Sequence, residues 1–209
     1  SEFAASVEPL PSRAAFAREV SHSLEKGVDG TTDREVAVEA MVKDEMAKQG
    51  IDNAGFLVDQ GATTAIELQA EARWEDAAFD HHVTALEDRI GAQERWAGRA
   101  GVLSPYVAIR SLSSGLAGTD FAHHRHFTDY AESWRKALVK QLNETFGKEA
   151  GAEGWSYKAN PELWKNAPPF EYAAPGLGFV WRHHAFDVLV LLGWLLLGAA
   201  LAVRSARRV

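Results

Sequence analysis

The sequence predicts an all-α fold: a bundle of long helices, followed by one C-terminal helix that crosses a membrane. Three observations predict it. Apolar residues recur at three- and four-residue steps between Gly, Pro and N-cap signals. No segment of any length alternates with the two-residue period of a strand. The run Val188–Val203 contains no charged residue.

The elements follow in order. Pro11-Ser12 starts a first helix with Phe16, Val20 and Leu24 on one face, and Gly27 ends it. After the Val28-Asp29-Gly30-Thr31 turn, Thr32-x-x-Glu35 reads as a capping box for a second helix. Its apolar face carries Val38, Met41, Val42 and Met46, and Gly50 closes it. A loop with Asn53, Gly55 and Gly61 leads to a long helix over about 62–97, with Trp74, Phe79, Val83, Leu86, Ile90 and Trp96 on its apolar side. Ser104-Pro105 is an N-cap with Pro at the first helical position, opening a short apolar helix through Leu116. Thr119-Asp120 starts a helix to about Phe146, with Phe127, Ala131, Trp134, Leu138 and Leu142 as its stripe, suited to antiparallel packing on the long helix. The segment from Gly147 to Gly178 is rich in Gly, Pro and aromatics and reads as an ordered loop.

The end of the chain carries the strongest physical signal. Sixteen uncharged residues, Val188–Val203, span about 24 Å at ~1.5 Å per residue, and Ala185 and Phe186 extend the span toward a ~30 Å hydrocarbon layer. Trp181 and Trp194 can anchor it, and Asp187 belongs near the interface, facing water or protein. Arg204, Arg207 and Arg208 follow directly, which places that end in the cytoplasm by the positive-inside rule. The domains are therefore 1–178, extracytoplasmic and helical, and 179–209, a membrane helix with a short basic tail. An external domain with no signal peptide at Ser1 implies membrane helices upstream of this sequence.

Charge sharpens this division. The formal charge of the 209 residues is −7, and the part from Phe179 onward carries about +3, so the remainder carries about −10. So acidic a domain is unsuited to nucleic acid, which needs a basic face. With no Cys there is no disulfide, thiolate metal site or Cys nucleophile. No phosphate-binding Gly-rich loop, nucleophile elbow or His-Glu-x-x-His is present, so neither an ATPase nor a familiar hydrolase is expected within the chain.

The most chemical string is Ala122-His123-His124-Arg125-His126. On a helix His123 and His126 share a face, and with Asp120 they form a candidate site for Cu or Zn; His81-His82 and His183-His184 are further ligand sources. The alternatives are that these histidines cap, pair with acidic residues or line a helix junction, or that they sense pH or contact a substrate. His124 and Arg125 are candidates for gating or partner contact. Glu67, Glu71 and Glu75 share a face of the long helix and read as a solvated face, as paired catalytic carboxylates or as a cation site. Arg182, His183 and His184 suit the membrane interface.

Three strings carry a resemblance: Leu103-Ser104-Pro105 with Ile109-Arg110-Ser111-Leu112; Gly115-Leu116-Ala117-Gly118-Thr119-Asp120-Phe121-Ala122-His123-His124-Arg125-His126-Phe127; and Pro168-Pro169-Phe170-Glu171-Tyr172 with Pro175-Gly176-Leu177. Pro9-Leu10-Pro11-Ser12 and Gly27-Val28-Asp29-Gly30 add to it. From about Pro9 onward the chain resembles the C-terminal part of a branch of ABC-2-type transporter permeases. That branch carries domain of unknown function 3526 and is grouped with permeases of nitrous-oxide-reductase maturation. The resemblance implies a bacterial inner-membrane protein whose last external loop and final helix are seen here. It implies a separate cytoplasmic ABC ATPase, a second permease copy or sister permease, the lipid bilayer, and a periplasmic protein as partners. It brings no cofactor, substrate or residue role. The rival readings are a membrane-tethered periplasmic metal-binding protein and a sensor or interaction domain.

Overall fold

The computed structural model describes residues 8–51 and 60–208. These residues form helices and no strand: α1 (Arg13–Lys26), α2 (Arg34–Gln49), α3 (Gln60–Ala100), α4 (Pro105–Leu116), α5 (Phe121–Glu149), the short α6 (Glu162–Lys165) and α7 (Leu177–Ala206). Two 3-10 segments, Gly101–Leu103 and Gly151–Ser156, join them.

Most boundaries obey local chemistry. The Ser12 side chain accepts from the Ala15 N–H at 3.1 Å and so caps α1. The cap of α2 is Asp33, which accepts from the Glu35 N–H at 3.1 Å, rather than Thr32 of the expected capping box. Thr32 is already committed, because Asp29 accepts from its N–H and its hydroxyl, at 3.0 and 2.6 Å, in an Asx turn. Gly50 ends α2 in the left-handed conformation, φ 69° and ψ 23°. Helix α5 runs through Gly147 to Glu149, beyond the expected stop. Asn53 and Gly55 of the expected loop lie outside the described residues, whereas Gly61 is already helical.

The chain divides into two compact units. One comprises Leu10–Leu86 and Glu132–Phe170. Its core line along α3 is Ile66, Ala70, Trp74 and Ala78, one residue per turn, joined by Val20 of α1 and by Ala150. The expected stripe drifts off this line: Phe79 and Val83 are exposed. Trp74 donates its indole N–H to the Leu24 carbonyl at 2.9 Å, tying α1 to α3. Here α3 and α5 are antiparallel, as expected. Gln69 meets Asn143, Asp76 meets Arg135, and Asp80 meets Lys136. Small residues permit the approach: a Cβ on Gly147 would fall 2.7 Å from the Ala65 Cβ, and one on Gly61 would fall 2.7 Å from the Gly151 nitrogen. Trp134 donates to the Pro168 carbonyl at 2.9 Å and packs edge-on against Phe170, fixing the ordered loop.

The other unit is built from Glu87–Ala131 and Glu171–Val209. Its main contact is α4 against α7. Val102 meets Trp194 near the start of α4, and Ser111 meets His184 near its end, so the two helices are antiparallel. Helix α7 is 30 residues long and apolar enough to cross a membrane, and only 6% of its most apolar window is buried. A soluble core helix would be mostly covered; this one leaves Leu189, Leu192, Leu195, Leu196 and Leu201 exposed.

Candidate functional site

Four ionisable side chains are buried together where α4, α5 and α7 meet. Gly118 (φ 69°) turns the chain after α4 and places Asp120 at the head of α5. One Asp120 oxygen accepts from the His123 backbone N–H at 2.9 Å, as an N-cap does, and from the His123 ring Nδ1 at 2.5 Å. The other oxygen faces Nε2 of His184 on α7 at 2.6 Å. One helical turn further on, Asp187 faces the opposite ring nitrogen, Nδ1 of His184, at 2.9 Å. Ser111 of α4 completes the network, donating to Asp187 at 2.7 Å and lying 3.2 Å from His184 Nδ1. The side chains of Asp120, His123, His184 and Asp187 are each no more than 9% exposed.

The chemistry of this set is constrained. An ionised carboxylate only accepts, so a ring with a carboxylate at each nitrogen carries N–H on both. His184 is then an imidazolium between two aspartates. Burial pushes the Asp120 carboxyl up, but hydrogen bonds from His184 and from the His123 backbone and ring outweigh it and hold the group below the usual aspartate range. Ser111 gives its proton to Asp187, not to the imidazole, so the trio lacks the hydroxyl-to-imidazole transfer of a nucleophilic triad. What the arrangement does is fasten three helices through charge-assisted bonds. Gly115 of α4 makes room for it, since a Cβ there would lie 2.3 Å from His184 Nε2.

The sequence-predicted residues separate. Asp120 and His123 come together, but His126 turns to the Tyr172 hydroxyl at 3.0 Å, within an aromatic cluster where Phe179 stacks edge-on against both His123 and His126. Among the described residues no group of three or more His, Asp or Glu is arranged to hold a metal. Arg125 pairs with Glu87 at 3.1 Å and Asp88 at 3.4 Å, and His124 is exposed. Burial lifts the Glu87 carboxyl above its usual range against the pull of Arg125. His82 bonds the Ser23 hydroxyl at 2.8 Å, and Glu71 pairs with Arg34 at 3.2 Å. His183 bonds the Phe179 carbonyl within its own helix at 2.9 Å, whereas His184, expected at the membrane interface, turns inward. Sequence reasoning missed Ser111, His184 and Asp187 as one site. Its signal was a His-x-x-Asp pair directly before the uncharged run Val188–Val203, where a charge needs a partner.

Among the described residues, fold and site define a helical protein with one helix fit for a membrane and a buried ionic network at that helix's entrance. The family model for a domain of unknown function, DUF3526, matches residues 60–173, more than half of the chain, and the chain belongs to that family. No curated protein and no solved structure matches it.

Proposed function

We propose that this chain belongs to the membrane subunit of an ABC-type transporter, as its large extracytoplasmic loop domain and last membrane helix. The observation that carries the reading is α7: its uncharged, largely uncovered run Val188–Val203 has an acidic helical domain before it and Arg204, Arg207 and Arg208 directly after it. The DUF3526 match over residues 60–173 fits the permease branch that the sequence resembles. ATP hydrolysis belongs to a separate cytoplasmic ATPase, and a second permease copy or a sister subunit completes the pathway. The bacterial inner membrane is the location, and the ionic network fastens the external helices to the last membrane helix. Motion of that helix then reaches α4 and α5 without slack.

The test is purification of the natural full-length protein from its own membrane in mild detergent, with mass spectrometry of the co-purifying proteins. A stoichiometric ABC ATPase is the expected result. A natural chain that begins near Ser1 and brings no ATPase would overturn the permease reading.

A further inference from the structure

The segment 101–109 lies alongside the apolar part of α7 rather than beyond its end. Trp194, whose indole N–H donates to the Val102 carbonyl at 3.1 Å, is seven residues past Asp187. At ~1.5 Å per residue that is about 10 Å further along the helix, well inside the uncharged run. From there α4 climbs back along α7 until Ser111 and Gly115 reach His184. No residue from Gly101 to Ile109 is charged, and Val102, Leu103, Tyr106 and Ile109 are exposed, Leu103 by 84%. This surface continues the exposed leucines of α7. On a water-facing domain a contiguous patch of this kind would be anomalous.

The backbone of the turn is also suited to a dry setting. Non-helical backbone at membrane depth must have its polar groups satisfied. The Val102 carbonyl has the Trp194 indole, the Ser104 N–H bonds the Gly101 carbonyl at 3.0 Å, and Pro105 has no N–H to satisfy. Arg99 and Arg110 are the nearest charges on either side, and their long side chains can extend to the headgroup level.

We infer that the Gly101–Leu103 turn and the first turns of α4 are immersed in the bilayer beside α7, with Val102, Leu103, Tyr106 and Ile109 against lipid acyl chains. The segment dips into the leaflet on the domain's side and returns. This rests on the reading of α7 as a membrane-spanning helix.

These 209 residues contain no Cys, so an introduced one is the single thiol among them. Leu103→Cys, Ile109→Cys, Leu196→Cys and Lys158→Cys are introduced singly into the full chain, labelled with an environment-sensitive fluorophore and reconstituted in phosphatidylcholine–phosphatidylglycerol vesicles. Quenching by nitroxide-bearing acyl chains is compared with quenching by aqueous iodide. The expected result is that labels at Leu103 and Ile109 lose emission to the acyl-chain nitroxides as the Leu196 label does, show the same blue shift and ignore iodide, while the Lys158 label responds to iodide alone. If Leu196 is lipid-quenched but Leu103 and Ile109 respond to iodide, the immersion is refuted and the span stands. If those two labels respond to neither quencher, protein covers the face and lipid contact is refuted. Iodide quenching at Leu196 would overturn the span and the immersion together.

Discussion

Replacing Gly115 with alanine tests the packing of α4 on α7 most severely, because helix propensity and tertiary fit demand opposite signs. Alanine in a helix is favoured over glycine by about 1 kcal/mol. At Gly115, however, the added Cβ would lie 2.3 Å from His184 Nε2 and 2.4 Å from Cδ2. The ring must withdraw by roughly 1 Å to reach ordinary van der Waals separation, and it is held at 2.6 Å from Asp120 and 2.9 Å from Asp187. Losing one charge-assisted bond costs about 1.5–3 kcal/mol, and overpacking a fitted interface about 1–3 kcal/mol. After the propensity gain the net loss is about 1.5–5 kcal/mol, a fall in Tm on the order of 10 °C for a chain of this size. The assay is thermal unfolding in detergent micelles, with Gly98→Ala as control, since nothing lies within 4 Å of a Cβ there. The control should gain up to about 1 kcal/mol. In a His184→Ala background the penalty of Gly115→Ala should disappear, as a double-mutant cycle would show. A Gly115→Ala protein as stable as the parent would refute the close approach and the seating of α4 that depends on it.

The remaining predictions concern both units. Asp120→Asn should destabilise the protein by about 3 kcal/mol at neutral pH, because it breaks a buried pair and leaves His184 half-satisfied. Since the Asp120 carboxyl sits below the usual range, its contribution is full above the ordinary aspartate value and is lost as pH falls through the lowered one; acid titration of stability should therefore flatten below about pH 4 in Asp120→Asn. Arg125→Ala should cost about 1 kcal/mol at pH 7, discounted because Arg125 is partly exposed. That cost should shrink on acidification, since Glu87, already raised by burial, then takes up a proton and needs no partner; denaturant unfolding at several pH values measures it. Trp74→Phe should lose about 1 kcal/mol with the bond to Leu24, read by chemical denaturation. Gly147→Ala should cost about 1–2 kcal/mol net in the same assay, because its Cβ would meet that of Ala65.

Much of the fold was legible because its signals are local. Ser12, Gly50 and Ser104-Pro105 mark helix ends through the geometry of two or three residues, and α7 is announced by composition alone. The core line of α3 was harder to see, because two of its four members are alanines, which a search for large apolar residues overlooks. The site was half legible. Asp120 and His123 are neighbours on one turn, but His184 is 64 residues from Asp120, and no periodicity reports a partner at that distance. His126 lay on the right helical face and found Tyr172 instead, since the helix dictates only a direction and the return of the loop decides what waits there.

Holding His184 between two aspartates also fixes its reactivity. An imidazole is a nucleophile, and a ligand for soft metal ions, only through a ring nitrogen that carries a free lone pair. In His184 both nitrogens spend theirs on N–H bonds directed at carboxylates. Acylating reagents and added copper or zinc should therefore pass it by and modify the exposed rings of His81 and His124 first. The residue that fastens the three helices is, by the same bonds, the most inert histidine in its unit.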